Sequence, residues 1–377
     1  METRFYNLKN LLEIKYGKNQ KNIEEPHGKY PILGTGGVIG HTNQFLYDKP
    51  SVLIGRKGTI EKIQYIEQPF WTIDTLFYTI INEKLIIPKF LYYRLLLVDL
   101  TLYNEGTSIP SLTTKTLYKL EIDIPTVNIQ KKILKILNNL DKKIEINKKI
   151  NKNLNSLLRS LFKHWIINYQ IPKSFNINHT YRETKKYESI EMPDDWVIFN
   201  FKDKCNFIKG KKPKKIYKFH ENNTISYLTI DVLKGQENIY GTIENTIPVT
   251  KNDILIVSDG ASSGDLFFGK EGILGSTLSK IEIPTEYTDI ILEYLKYYSK
   301  QIKKNNTGSA IPHVDKGFIL NLQLALPKDS KYIQNIFQQI HNKIINNNEE
   351  IESLRKLRDT LLPKLMSGEI DVSQVEV

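Results

Sequence analysis

Cysteine is almost absent from this chain of 377 residues, because Cys205 is the only one. A single cysteine excludes an intramolecular disulfide and any zinc site built from several cysteines. The seven histidines are scattered, without a His-x-His or His-x-x-x-His pair, so no metal site is expected. No apolar run approaches the ~18 residues of a membrane span, and residues 1–6 lack the start of a signal peptide. We therefore expect a cytoplasmic protein that contacts no membrane.

Signatures of catalysis are missing as well. The chain has no Asn-Pro-Pro-Tyr-like motif of adenine methylation and no Gly-x-x-x-x-Gly-Lys-Ser/Thr loop of nucleotide hydrolysis. The glycines from Gly34 to Gly40 follow a Gly-x-Gly-x-x-x-Gly spacing and do not lie between a clear strand and a helix, so no dinucleotide site is expected there. Cys205 has no histidine near it in sequence. The chain is therefore expected to be no enzyme and to need no cofactor.

Positive charge exceeds negative charge along the chain. Lysine and arginine total 53 against 42 aspartate and glutamate residues, which gives a formal charge of +11 and a pI near 9.2. This balance favours a polyanionic partner, and nucleic acid is the commonest one. On charge alone, an equally good alternative is the lysine-rich and asparagine-rich composition that an AT-rich genome produces.

The chain repeats itself at a spacing of about two hundred residues. The run Gly106-Thr-Ser-Ile-Pro110 recurs as Gly308-Ser-Ala-Ile-Pro312, and an alternating apolar segment ends at Pro125 in one copy and at Pro327 in the other. The same offset pairs Val52-Leu-Ile54 with Ile254-Leu-Ile256 and Gly58 with Gly260. A repeat of this length predicts two related globular units.

A long helical pattern follows each copy, and its apolar positions alternate by four and three. The predicted seam is Ile133, Leu137, Leu140, Ile144, Leu154, Leu158, Leu161 and Trp165 in the first helix, and Ile333, Phe337, Ile340, Ile344, Ile351, Leu354, Leu361 and Leu365 in the second. Asn147, Asn151 and Asn347 take polar places within it. Such heptads predict a coiled coil between the two helices. The alternative is two amphipathic helices, each docked on its own domain.

The predicted fold is α/β, with two strand-rich domains separated by a pair of long antiparallel coiled-coil helices in a pseudo-twofold repeat. The expected segments are a first domain at 1–126, a helix at 127–168, a polar linker at 169–195, a second domain at 196–328, and a second helix with its tail at 329–377. The predicted elements inside the domains are strands at 50–55, 61–66, 75–81 and 253–257 and a helix at 89–99. Pro363 is expected to loosen the last turn of the second helix. A helix of about 37 residues spans ~55 Å, more than one ~34 Å turn of DNA.

Basic and polar side chains on predicted loops are the candidate DNA contacts. They are Lys18, His41, Asn43, Arg56, Lys57 and Thr59 in the first unit, and Lys209, Lys211, Lys212, Lys214, Lys215, Ser258, Ser262, Ser263 and His313 in the second. Lysines neutralise phosphates without reading sequence, whereas arginine, asparagine, serine and threonine can reach base edges. The alternative for any single one of them is a solvated loop residue.

Several runs resemble the specificity subunits of type I restriction–modification systems. In the first unit they are Tyr30-Pro-Ile-Leu-Gly-Thr-Gly-Gly-Val-Ile-Gly40, Leu53-Ile-Gly-Arg-Lys-Gly58, Phe70-Trp-Thr-Ile-Asp-Thr75, Ile109-Pro-Ser-Leu112 and Gln130-Lys-Lys-Ile133. The C-terminal run Leu357-Arg-Asp-Thr-Leu-Leu-Pro-Lys-Leu-Met-Ser-Gly-Glu-Ile-Asp371 is similar to the end of the family's second conserved helix. The resemblance covers nearly the whole chain, in the order recognition domain, helix, recognition domain, helix.

This resemblance implies a non-catalytic subunit whose two target-recognition domains each read one half of a bipartite target in double-stranded DNA. It also implies that two methyltransferase (modification) subunits dock on the chain and that a restriction subunit can join them. The resemblance assigns S-adenosylmethionine to the modification subunits. The second unit departs from the pattern, since Ile256-Val-Ser-Asp-Gly260 stands where the first has Ile54-Gly-Arg-Lys-Gly58. An asymmetric target is therefore expected. The run Lys331-Tyr-Ile-Gln-Asn-Ile336 also departs, so that docking at the two helices is expected to differ in detail.

Two other classes of protein remain as alternatives. A single-chain restriction–modification enzyme would contain a similar recognition portion, but it would also need the methylation and nuclease motifs that are missing here. A structural coiled-coil adaptor would bind proteins alone and would not depend on DNA sequence.

Overall fold

The computed structural model describes residues 2–172, 184–187, 190–308 and 310–376. The chain forms two compact units, one made of Met1–Glu145 with Ile351–Val377 and the other of Ile146–Glu350. About half of the predicted linker, at 173–183 and 188–189, lies outside the described residues. No helix in the described ranges is long and apolar enough to cross a membrane.

The first unit is built from short strands with three helices packed on them and the start of a long one. Its strands are β1 Thr3–Asn7, β2 Leu12–Tyr16, β3 Tyr30–Gly34, β4 Gly37–Thr42, β5 Ser51–Gly55, β6 Gln64–Ile66, β7 Trp71–Thr72, β8 Leu76–Ile81 and β9 Glu121–Pro125. Its helices are α1 Leu8–Leu11, α2 Pro88–Leu96, α3 Thr114–Lys119, the beginning of α4 Val127–Leu161 and the end of the last helix, Lys331–Ser367. The sheets have the orders β2-β8-β5-β6, β4-β3-β7 and β1-β9.

The core of the first unit explains why β5 is apolar throughout. Val52 and Ile54 face the main core, which also contains helix residues such as Phe90 and Leu137, whereas Leu53 faces a smaller cluster around Phe70. Alternate residues of a strand point to opposite faces, so a strand that is buried on both faces must be apolar at every position.

Helix α2 begins at Pro88, as expected, but ends at Leu96 rather than at Asp99. Asp99 instead caps a 3₁₀ turn at Leu100–Tyr103, because its side chain accepts a hydrogen bond of 3.0 Å from the Thr101 backbone N–H. Aspartate competes with helical hydrogen bonding in this way, and it is therefore more often found at a cap than inside a helix.

The second unit repeats this plan with additions. Its strands are β10 Thr184–Tyr187, β11 Ile190–Pro193, β12 Trp196–Asn200, β13 Asn206–Lys209, β14 Ile216–Tyr217, β15 Thr224–Leu228, β16 Tyr240–Thr242, β17 Pro248–Val249, β18 Ile254–Val257, β19 Leu266–Phe267, β20 Gly272–Leu274, β21 Leu278–Glu282 and β22 Gln323–Pro327. Its helices are α5 Phe201–Lys204, α6 Ile230–Leu233, α7 Thr288–Tyr297, α8 Ser299–Lys304, α9 Lys316–Leu320 and the beginning of α10 Lys331–Ser367.

The two units share one topology. The order β13-β21-β18-β19 matches β2-β8-β5-β6, and the pair β12-β22 matches β1-β9. A parallel pair also recurs, as β3 with β7 and as β15 with β20. Strands β14 and β17 extend the sheet order to β14-β16-β15-β20-β17 in the second unit. The predicted α/β class and the internal repeat are confirmed.

The long helices run antiparallel to each other. Within the second unit, the Asn147 side-chain amide donates to Glu350 Oε2 at 2.8 Å, and that of Asn151 donates to Asn348 Oδ1 at 2.8 Å. Asn347 Nδ2 in turn donates to Asn151 Oδ1 at 2.8 Å. Later positions of α4 therefore meet earlier positions of α10, and buried asparagines satisfy one another there.

The predicted seam residues are buried or half-buried along both helices. Ile133 and Leu137 pack with Leu365 in the core of the first unit, while Leu158 packs with Phe337 in that of the second. The paired helices are thus docked on the domains as well, so both alternatives for the seam contribute. One end of each helix belongs to the apolar core of the first unit, and the other end belongs to that of the second.

The two long helices end in different ways. Helix α4 passes into a π-helical turn at Phe162–Ile167, which carries the buried Phe162 and Trp165. Helix α10 continues through Pro363 to Ser367, where Gly368 ends it with a φ of +79°. A left-handed backbone after the last helical residue is a common helix stop, and glycine adopts it without strain.

Candidate nucleic-acid interface

Two loops of the first unit are joined by backbone hydrogen bonds. We call residues 56–59 the glycine turn and residues 106–111 the Ile-Pro loop. The Gly58 N–H donates to the Pro110 carbonyl at 2.9 Å, and the Leu112 N–H donates to the Arg56 carbonyl at 2.9 Å. Gly58 has a φ of +85°, a backbone conformation that favours glycine. The two loops therefore form one platform, which we call the first platform.

The second unit builds the same platform from residues 258–261, 308 and 310–313. The Gly260 N–H donates to the Pro312 carbonyl at 2.9 Å, and the Val314 N–H donates to the Ser258 carbonyl at 2.9 Å. Gly260 and Gly308 both have positive φ, at +100° and +87°. We call this arrangement the second platform. Its hydrogen bonds are equivalent to those of the first.

A glycine–lysine pair lies beside each platform, and its glycines were not singled out from the sequence. A Cβ on Gly17 would overlap the Ile73 carbonyl oxygen, and a Cβ on Gly210 would overlap the Gly275 carbonyl oxygen. The exposed Lys18 and Lys211 follow, and the Lys18 N–H donates to the Thr72 carbonyl at 2.8 Å. The only sequence signal for this feature is the repeated Gly-Lys dipeptide.

Arg56 is the cation of the first platform whose side chain is fixed by contacts on two sides. Its guanidinium lies over the Tyr16 ring, 5.1 Å from the centroid, and Nη1 donates to the Asp74 carbonyl at 3.0 Å. A stacked guanidinium retains further N–H donors in a fixed plane, which suits it to a base edge or a phosphate. The neighbouring Lys57 and Thr59 are exposed.

An ion-paired cluster takes the corresponding place on the second platform. Lys209 Nζ lies 3.0 Å from Asp259 Oδ2, and His313 Nδ1 lies 2.7 Å from Asp259 Oδ1. Partial burial opposes ionisation of Asp259, but hydrogen bonds from His313 and Lys209 keep its pKa below the usual value. Lys316 is nearby and lies over the Phe207 ring at 5.4 Å, and its pKa is lowered by burial and then by Lys209.

Three serines that were candidate contacts are engaged inside the second unit. The buried Ser258 hydroxyl lies 2.7 Å from that of Ser279, and the buried Ser263 hydroxyl donates to the Ser258 carbonyl at 3.2 Å. Ser262 is half-buried and accepts a hydrogen bond of 3.1 Å from Lys234 Nζ. Ser263 thus holds the turn that follows β18, because a serine can bond to the backbone of its own turn, and Ser258 ties the same turn to β21.

The other candidates lie away from the platform hydrogen bonds. His41 lies on β4 and is exposed, while Asn43 just beyond it is held by Glu25 and by the Lys29 backbone N–H. The remaining candidate lysines of the second unit are exposed, and Lys214 forms an ion pair with Glu244 at 2.9 Å. In the described part of the chain, no group of three or more histidine, cysteine or acidic side chains is arranged to hold a metal ion.

A family model described as the type I restriction modification DNA specificity domain matches this chain twice, at residues 2–156 and 193–356. These two matches cover most of the chain. The chain belongs to this family. The resemblance stated from the sequence is thereby confirmed, and so is the assignment of the chain as a specificity subunit rather than a catalytic one.

Similar proteins carry the same description. The MjaVIII specificity subunit of Methanocaldococcus jannaschii is 34% identical over 189 residues, which is 48% of this chain and 44% of that protein. The MjaIX specificity subunit of the same organism is 23% identical over 354 residues, covering 88% of this chain and 80% of its own length. The S subunit from M. genitalium has a TM-score of 0.62 at 20% identity, over 97% of this chain and 96% of that one, which shows a shared fold.

Proposed function

We propose that this specificity subunit reads a bipartite, asymmetric target in double-stranded DNA, with one half read by each unit. One observation carries the proposal: the backbone frame of the two platforms is the same, while the side chains on it differ. A shared frame supports a shared task, and different side chains support different base sequences.

The chemistry of each platform supports this division. The first platform offers the stacked guanidinium of Arg56, a donor group that favours guanine edges. The second offers His313 with Asp259 and Lys209, a set that contains both donors and a carboxylate acceptor. A carboxylate accepts hydrogen bonds from the cytosine amino group, so the two platforms should not prefer the same base. Exposed lysines such as Lys18 and Lys211 would neutralise phosphates beside either half.

The remaining assignments are part of the same proposal. We infer recognition domains at 1–126 and 196–328, a linker at 169–195, and helical segments at 127–168 and 329–377. The helices, of 35 and 37 residues, would set the number of unread base pairs and dock two methyltransferase subunits, with a restriction subunit joining the complex. The methylation chemistry and its cofactor would belong to those partners.

A methylome map tests this proposal. Cells expressing the chain with its partner methyltransferase subunit are compared with cells expressing the methyltransferase alone. The expected result is a split, asymmetric methylated motif that depends on this chain. A stable complex that produces no new motif would overturn the role in DNA reading. Methylation by the purified chain without a partner would instead favour the single-chain enzyme.

A further inference from the structure

One isoleucine of each platform points into solvent. Ile109 is 61% exposed and precedes Pro110, and Ile311 is 58% exposed and precedes Pro312. Single exposed aliphatic residues are ordinary on protein surfaces. Here, however, the same residue is exposed at the same place in both units.

The positions around these isoleucines differ between the platforms. In the equivalent hydrogen bonds, Ser258 of the second platform stands where the first has Arg56. In the equivalent backbone bridges, Asp259 stands where the first has Lys57, and His313 stands where it has Ser111. These differences alter charge, size and hydrogen bonding together. The side chains suited to reading sequence have therefore diverged, whereas the isoleucine has not, so its partner must be the same at both halves of the target.

Both loops are built to hold the isoleucine outward, by different means. In the first unit, Asn104 Oδ1 accepts from the Gly106 N–H at 2.9 Å and from the Ser111 N–H at 2.8 Å. In the second, Thr307 and His313 exchange backbone hydrogen bonds of 2.8 Å each way. A constrained loop loses little entropy when the exposed side chain enters a binding partner.

The surroundings of the isoleucines favour DNA as this partner. Lys57 is bridged to the first loop, and Lys209 and Lys316 lie around Asp259 beside the second. Cations beside a loop that carries an exposed aliphatic side chain suit a polyanion that also offers an apolar surface. The apolar surface that all DNA sequences share is the face of the bases, and it is reached by opening a base step.

We propose that Ile109 and Ile311 are wedges that each enter a base step at one half of the target, independently of its sequence. This inference rests on the proposed function. Each platform then has two functions: the polar groups select the sequence, and the isoleucine holds the duplex open.

The test uses the complex of the full chain with its methyltransferase subunits. The variants Ile109→Ala, Ile311→Ala and the double variant are compared with Phe5→Ala and Val197→Ala, which remove exposed side chains of β1 and β12. Affinity is measured by fluorescence anisotropy on the target and on a scrambled duplex. We expect each isoleucine variant to bind both duplexes about tenfold more weakly, with an unchanged salt dependence, because an apolar contact releases no counterions. The conservative Ile109→Leu should bind as the wild type does.

Base opening is followed with 2-aminopurine placed at successive steps of each half-site. Wild-type binding should raise its fluorescence at one step in each half, and each alanine variant should abolish the rise in its own half. Wild-type affinity in the double variant, or no fluorescence rise with the wild type, would overturn the wedge. Loss of methyltransferase subunits from the double variant without DNA would overturn it in favour of a protein contact. If the wild-type complex shows no preference for its target, the proposed function itself fails.

Discussion

At the scale of single residues, Arg56 differs from the other candidate cations because its position is held from two sides. The Tyr16 ring lies under the guanidinium, and the Asp74 carbonyl accepts one of its N–H groups. Lys57 is exposed beside it and has no comparable support within the glycine turn. An arginine held in this way can discriminate between bases, whereas a mobile lysine contributes mainly charge.

We therefore expect Arg56→Ala to relax the methylated motif at one position of one half-site and to weaken target binding by about 1–3 kcal/mol. Arg56→Lys, which keeps the charge but loses the planar fork, should also relax the motif. Lys57→Ala is the matched control: it should weaken binding to all sequences alike and reduce the salt slope by about one. Methylome mapping and salt titrations distinguish these outcomes. An Arg56→Ala motif identical to that of the wild type would remove Arg56 from base reading.

At the scale of elements, the first half of α10 is joined to α7 by buried charged side chains. His341 Nδ1 lies 2.6 Å from Asp289 Oδ1, and His341 Nε2 lies 2.9 Å from Glu293 Oε1, with all three side chains more than nine-tenths buried. Lys296 also reaches Glu293, and the Phe268 ring lies beside His341. A histidine between two carboxylates is held in its doubly protonated form.

These buried charges should make the stability of the second unit fall both at high pH and at low pH. Burial opposes protonation of His341, but hydrogen bonds to Asp289 and Glu293 raise its pKa, so its contribution is full below the ordinary histidine pKa and is lost as pH rises through the raised value. Burial likewise opposes ionisation of Glu293, but His341 and Lys296 lower its pKa, so its contribution is present above the ordinary glutamate pKa and is lost as pH falls through the lowered value.

Thermal unfolding followed across pH should thus show a maximum between these two limits. His341→Leu leaves two buried carboxylates without their partner and should destabilise the second unit by about 3–5 kcal/mol. Its unfolding curve should also lose the decline on the alkaline side. The control is His27→Leu, since that histidine is exposed. If His341→Leu has the same alkaline decline as the wild type, another group is responsible for it.

At the scale of the whole molecule, the internal repeat implies that each half of the target can be impaired separately. Gly17→Ala would drive a Cβ into the Ile73 carbonyl and disturb the first platform. Gly210→Ala would drive a Cβ into the Gly275 carbonyl and disturb the second platform. Overpacking of this kind costs about 1–3 kcal/mol, which should displace a loop without unfolding the chain.

We expect Gly17→Ala to degrade one half of the methylated motif and Gly210→Ala to degrade the other. Gly36→Ala is the matched control, because a Cβ there meets nothing within 4 Å. Footprinting of the variant complexes on the wild-type target should show protection lost over a single half-site for each variant. Equal loss over both halves from either variant would mean that the units do not read independently.

Parts of the architecture followed from the sequence because they depend on local periodicity. Strand β5 and the heptads of α4 and α10 are patterns that few other structures satisfy. The Ile-Pro loops were found because the chain contains them twice. The short elements were harder to place: Asp99 caps a turn instead of extending α2, because capping overrides weak local preferences.

Residue order alone shows that this chain is a duplicated α/β protein, because repeats and heptads can be read without any coordinates, and the motif runs carry the resemblance to the specificity-subunit family. Which polar residues share a site depends on how each unit packs. The packing joined Gly58 to Pro110 and Gly260 to Pro312, turned the hydroxyls of Ser258 and Ser263 inward, and left Ile109 and Ile311 exposed. The Gly58–Pro110 and Gly260–Pro312 contacts link residues about fifty positions apart, and such pairs are brought together by the sheets and cores of each unit rather than by any local pattern.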